Sequence, residues 1–217
     1  AELVDKNTIA VSAVAGTTEY GVVDDIAEVA KIALENDVFC HVDAAFGGFV
    51  IPFLKHPMPF DFAVEGVDSV SLDPHKMGLA TIPCGSLLLR DPDVFGCLNV
   101  DTPYLTVKKQ CTLAGTRPGA DVAGAYAVIK HLGREGFRAL VAGCMENTRR
   151  LVAGMEACGY RRVVDPIMNV AAFTGGDAPA VWTVSHTRAG HLRFVIMPHV
   201  TRDVIECFLA DVAAMQA

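Results

Sequence analysis

A chain of 217 residues, 52% hydrophobic and 20% charged, can bury a sizeable core in one or two domains. It has no run of about 18 apolar residues, so no membrane helix is expected, and the start AELVDKNTIAV lacks the pattern of a signal peptide. The formal net charge of -7 argues against a nucleic-acid partner.

Residues 7–18 (NTIAVSAVAGTT) predict a buried strand running into a Gly-Thr turn. Residues 23–38 carry Val23, Ile26, Ala27, Ala30 and Leu34 at helical spacing, with Asp24 and Asp25 at the positive end of the helix dipole. Residues 38–45 (VFCHVDAA) predict a second strand, followed by the Gly- and Pro-marked loop FGGFVIPF. Residues 68–74 and 84–91 predict two more strands. This alternation implies an α/β fold with a largely parallel sheet covered by helices. Residues 92–117 show no period and read as a functional loop or a linker. Residues 119–159 are helical almost throughout, with an interruption near Gly133–Gly136. A smaller αβ unit follows, with strands in RRVVDP, MNVAAFT, AVWTVSH and LRFVIMP and a closing helix over 201–215. A domain boundary is expected near residue 134, dividing 1–133 from 134–217.

The seven cysteines, Cys40, Cys84, Cys97, Cys111, Cys144, Cys158 and Cys207, form no CxxC pair. They read as reduced thiols of a cytoplasmic protein, not as disulfides or a metal site.

Two strand ends carry chemistry. Asp43 closes HVDAA, and Lys76 follows SVSLDPH. Ligands of open α/β sheets bind at this edge. Asp43 alone reads equally as a turn or cap aspartate, and the pair as a salt bridge. The sharper reading is a pyridoxal phosphate site, which needs a lysine to hold the cofactor as a Schiff base and an Asp beside the pyridine nitrogen. Thr17 and Thr18 end a strand on the same edge. His41, two residues before Asp43, points the same way, to a supporting role or into the core.

The stretches HVDAAFGGFVIPF, DPHKMGLA, GTRPGA and HLGREGF, together with GTTEYGVVDDI and LRFVIMPHVT, resemble the group II pyridoxal-phosphate-dependent amino acid decarboxylases. An archaeal branch acting on L-tyrosine and L-aspartate is the nearest match, along almost the whole chain. The resemblance implies the fold type I architecture, a mostly parallel sheet with helices on both faces plus a smaller C-terminal α/β domain, assembled as a homodimer. It begins part-way through the family's large domain. The main phosphate cradle and the residue stacking on the second ring face belong to the part before it.

The resemblance also implies roles. Lys76 would anchor the cofactor, Asp43 would pair with its ring nitrogen, and Ala45 would pack its methyl on one ring face. His75 would lie near the phosphate or the Schiff base, or be a satisfied loop histidine. Thr17 is a possible contact to cofactor or substrate. Gly115 and Thr116 would reach the neighbouring subunit's phosphate, or serve as turn residues before the helix. Arg193 would bind the substrate carboxylate through its planar fork, or form a strand-edge salt bridge. Tyr104 would protonate the substrate carbon, or simply pack its loop. The products would be tyramine, for methanofuran synthesis, or β-alanine, for coenzyme A synthesis. Two alternatives stay open: a carbon–carbon lyase resembling sphingosine phosphate lyase, and a non-catalytic remnant.

Overall fold

A computed structural model describes residues 2–112 and 115–216. Leu113 and Ala114, within the stretch that lacks a period, lie outside the described residues.

The first sheet holds four strands in the order β1 (Ala10–Val14), β2 (Phe39–Asp43), β3 (Ser69–Leu72) and β4 (Ser86–Leu89). The pairs β1–β2 and β2–β3 are parallel, and β4 runs antiparallel to β3. The parallel part therefore stops at β3. Helix α1 (Ile26–Glu35) makes the crossover from β1 to β2 and packs on both.

Asp25 caps α1 by accepting from the Glu28 N–H at 3.1 Å. Asp24 acts otherwise: its Oδ2 accepts from the Val14 N–H at 2.7 Å, which pins the helix entrance to β1. The buried face is Ile26, Ala30 and Ala33, and Leu34 is 55% exposed. The face expected from the sequence is thus turned by one position. Alanine is selected there because the helix lies close to the sheet.

The stretch without a period holds a 3-10 helix (Pro92–Leu98) and a two-stranded ribbon, β5 (Val100–Asp101) with β6 (Lys109–Gln110). Helix α2 (Ala120–Ala157) then spans the molecule, broken only at Gly133, whose φ is 57°. Its residues Val141 and Cys144 join the first core, and Phe49 and Phe53 at the edge of that core pack against the buried Phe137 ring. Its residues Leu151, Val152 and Met155 join a second core.

That second core lies against an antiparallel sheet in the order β7 (Arg161–Arg162), β8 (Val170–Thr174), β10 (Leu192–Val195) and β9 (Ser185–His186). Helix α3 (Arg202–Gln216) covers it with Ile205, Phe208 and Val212. Two strands are much shorter than their sequence suggests. Only Ser185–His186 of AVWTVSH pairs, because Trp182 leaves the sheet to pack edge-on against Phe208 and to donate to Asp211 at 2.7 Å. Only Arg161–Arg162 of RRVVDP pairs.

The two sheets meet through the turn after β1. An added Cβ at Gly21 would come within 2.7 Å of Val170, and one at Gly16 would strike Met168. Tyr20 Oη lies 3.1 Å from His191 Nδ1, and Glu19 accepts from the Arg188 N–H. No described helix is long and apolar enough to cross a membrane.

The packing predicts thiol reactivity. Burial pushes the Cys144 thiol up to about 11 and raises that of Cys40, with Asp68 adding to the latter. Cys97, Cys111 and Cys207 are exposed. At about pH 8, iodoacetamide should label these three and spare Cys40 and Cys144 in the folded chain, as read by peptide mass spectrometry.

Candidate active site

The site sits where three parallel strands end together. Beyond their last residues the chains stay paired: Ala15 N donates to Asp43 O at 2.8 Å, Ala44 N to Ser71 O at 3.0 Å, and Asp73 N to Ala45 O at 3.3 Å. This brings the segments carrying Thr17, Asp43, Ala45 and Lys76 to one edge.

Strand β2 alternates strictly. Cys40 and Val42 are buried, while His41 and Asp43 face the other way. The register sets His41 beside Ser69 and Asp43 beside Ser71. His41 Nδ1 lies 2.8 Å from Ser69 Oγ. Asp43 Oδ1 accepts from Ser71 Oγ at 3.2 Å and from the Ala45 N–H at 3.0 Å. Its second oxygen takes no hydrogen bond among the described residues. The carboxylate is held through one oxygen and offers the other.

Lys76 follows a turn closed by its own N–H to Asp73 O at 3.0 Å. The turn folds the side chain back, so that Nζ lies 2.8 Å from Asp73 Oδ2, with the lysine side chain 40% exposed. His75 Nδ1 accepts from the Cys84 N–H at 3.0 Å, which leaves the proton of the neutral ring on Nε2. At 3.8 Å from Asp73 Oδ2, that Nε2 is too far for a hydrogen bond and stays available. Thr17 Oγ1 accepts from the Val22 N–H at 3.2 Å and closes the turn, and its hydroxyl donates to no partner among the described residues.

Arg193 lies on β10 opposite Ala172. It therefore shares a face with Val170 and points away from Leu192 and Phe194 of the second core. Val170 packs on Gly21, so this is the face turned toward the β1 turn. Arg193 Nε is buried and has no partner among the described residues. Such a donor calls for an acceptor, and a carboxylate is the natural one. The cavity of about 280 Å³ in the second unit contains Arg193 with Trp182, Ser185, Phe194 and Phe208, but none of the sheet-edge residues.

Tyr104 is not brought to this edge by any described hydrogen bond. It is 82% exposed, on a turn held by Leu105 N to Thr102 O and Thr102 N to Lys108 O. Gly115 adopts a φ of 68°, and Thr116 is exposed ahead of α2.

Sequence reasoning missed Ser71 and Asp73. The signal for Ser71 was the spacing of Ser69 and Ser71, two hydroxyls at every second position of a central strand. For Asp73 it was the i, i+3 spacing to Lys76.

The residues present fit a pyridoxal group. A lysine amine and a carboxylate with one free oxygen meet at one sheet edge, beside a small residue, Ala45, and a histidine N–H donor.

Residues 2–173 match the pyridoxal-dependent decarboxylase conserved domain. A protein of Methanocorpusculum labreanum described as a probable L-tyrosine/L-aspartate decarboxylase is 79% identical over 213 residues, covering 98% of this chain and 58% of its own. A probable L-aspartate decarboxylase of Archaeoglobus fulgidus is 50% identical over 219 residues, covering 97% of this chain and 60% of its own. Among solved structures, the sphingosine-1-phosphate lyase of Burkholderia pseudomallei superposes with a TM-score of 0.86 at 27% identity, covering 100% of this chain and 54% of its own. The Lactobacillus brevis glutamate decarboxylase shares the fold, with a TM-score of 0.82 at 21% identity over 98% of this chain and 56% of its own. The chain thus spans little more than half the length of these relatives.

Ser71→Ala removes one of the two donors that hold Asp43 and should lower stability by about 1 kcal/mol. Urea unfolding at neutral pH reads this directly, and an unchanged midpoint would show that the hydroxyl does not hold the carboxylate.

Proposed function

We propose that this chain, which belongs to the pyridoxal-dependent decarboxylase family, forms part of an enzyme that removes the α-carboxylate of an L-amino acid, L-tyrosine or L-aspartate. The observation that carries this reading is the pair at the sheet edge. Asp43 is fixed through one oxygen with the other free, and Lys76 stands on the neighbouring strand end. The relative at 79% identity supports the substrate class.

In this reading Lys76 would hold the cofactor covalently, and Asp43 would accept a hydrogen bond from its ring nitrogen. Ala45 presents its methyl to one ring face. The His75 Nε2–H and the Thr17 hydroxyl are donors for its oxygens, and Gly115 and Thr116 serve the phosphate of a second copy. Pyridoxal phosphate supplies an electron sink for the pair left when the Cα–carboxylate bond breaks.

The chain's own residues supply orientation and proton handling. Arg193 would grip the substrate carboxylate and so fix the orientation of the bonds at Cα. The carboxylate leaves as carbon dioxide, and a proton returns to Cα from the Lys76 ammonium or from the Tyr104 hydroxyl. If Lys76 is the donor its amine is then neutral and can bond again; if Tyr104 is the donor, Lys76 first gives its proton to Asp73 or to solvent.

The reading includes a homodimer. Supporting it, α2 exposes Val122, Tyr126 and Ile129 on one stripe, and β4 exposes Leu87 and Leu88. It also includes a cytoplasmic setting, consistent with seven free cysteines. A role in supplying tyramine for methanofuran or β-alanine for coenzyme A follows from the substrate. The domain division near residue 134 stays part of the reading; it falls beside the helix break at Gly133, while Val141 and Cys144 just beyond it pack in the first core. A second reading, carbon–carbon cleavage of a phosphorylated amino alcohol, is favoured by the lyase superposition alone.

The test is cofactor capture. The protein, expressed with the flanking sequence its gene supplies, is mixed with pyridoxal phosphate and reduced with borohydride. The cofactor mass should then map to the Lys76 peptide and vanish in Lys76→Ala. Asp43→Asn should capture cofactor but lose at least about a hundredfold in kcat. Carbon dioxide release from L-tyrosine or L-aspartate should accompany capture. Capture without release from either would sink the decarboxylase reading.

A further inference from the structure

We infer that Asn169 is a positioning residue for this reaction: its side-chain amide ties the loop of Lys76 to the strand of Arg193 and sets the spacing between them. The inference rests on the functional reading above, in which those two residues hold the cofactor and the substrate carboxylate.

Asn169 is fully buried, just before β8. Its Nδ2 donates to Ile196 O at 3.0 Å and to Met77 Sδ at 3.3 Å. Ile196 N donates back to Asn169 O at 2.8 Å. Ile196 follows the last residue of β10, the strand that carries Arg193. Met77 follows Lys76 and is itself fully buried. One amide therefore bridges the two segments that bear the two site residues.

The orientation of the amide is fixed by its partners. A carbonyl oxygen and a thioether sulfur only accept, so the nitrogen must face them. That leaves Oδ1 buried without a donor among the described residues. A buried acceptor with no partner is destabilising; an apolar side chain of the same shape would remove that loss but leave the buried Ile196 carbonyl without its side-chain donor. The two effects are of the same order, so stability alone gives asparagine little advantage here. What the amide provides, and an apolar side chain does not, is a directional tie between the second sheet and the lysine loop. Its neighbours reinforce the contact without being polar: Met168 fills the space over Gly16, and Val170 that over Gly21. Of the three, Asn169 makes the hydrogen bond to the lysine loop among the described residues.

The tie matters because a reacting bond is accelerated only when it is aligned. Arg193 holds one end of the substrate and Lys76 marks where the other end meets the cofactor. Small errors in that spacing cost orientation and are felt in turnover.

The experiment is a double-mutant cycle on kcat/KM with Asn169→Leu and Arg193→Lys, alone and together, alongside borohydride trapping and thermal melting. Asn169→Leu should trap cofactor on Lys76 as the parent does and melt within a few degrees of it. Its kcat/KM should fall by about tenfold, yet by less than about twofold when Arg193 is already lysine. Met77→Leu, which removes the sulfur acceptor while conserving volume, should show the same non-additivity more weakly, and serves if Asn169→Leu does not fold. Equal losses in both Arg193 backgrounds, or an unchanged kcat/KM, overturn the inference alone. Failure of the parent protein to trap cofactor overturns the functional reading, and this inference with it.

Discussion

Everything at the sheet edge depends on the register between β2 and β3. With Asp43 beside Ser71, the carboxylate gains a hydroxyl donor from the next strand and the lysine turn leaves on the same side. A slip of one residue would turn His41 and Asp43 into the layer now filled by Cys40 and Val42. The buried side of each strand locks this against slippage. Val42 and Val70 are neighbours in the register and both lie in the first core. Apolar burial on one face thus fixes polar geometry on the other.

A second constraint is close approach. The β1 turn can receive the second sheet only because Gly16 and Gly21 present no side chain to Met168 and Val170. That contact turns the Arg193 face of β10 toward the strand ends. Arg193 and the residues Asp43 and Lys76 come from different sheets with separate cores, and two glycines on the connecting turn let those sheets pack together.

Much of this was legible in the sequence. Alternation along FCHVD reveals that His41 and Asp43 share a face, because the period of a strand is two whatever its surroundings. The ends of β2 and β3 were visible as the points where apolar runs meet Asp-Ala-Ala and Asp-Pro-His-Lys. What could not be read were relations between segments. The pairing of Asp43 with Ser71 depends on register, which no local signal specifies across a long crossover. The face of α1 was misread because Leu34 outweighs Ala33 in hydrophobicity, whereas the narrow gap over the sheet admits the smaller residue. AVWTVSH has the composition of a strand, and the indole of Trp182 draws it out of one by bonding to Asp211 on α3. The partnership of Asp73 with Lys76 needed the turn geometry, since the same spacing in an extended chain would separate them.

The long helix has a mechanical consequence. Its segment from Phe137 to Cys144 is seated in one core and its segment from Leu151 to Met155 in the other, with no break between. The helix therefore acts as a strut that forbids hinging of one sheet against the other. The one soft joint, Gly133, lies upstream of both seats. A change of angle there would leave the two-sheet body rigid and move residues 120–132, which carry Val122, Tyr126 and Ile129 behind the GTRPGA segment and are linked to the loop after Lys76 by Thr81 Oγ1 donating to Asp121 Oδ1 at 3.3 Å.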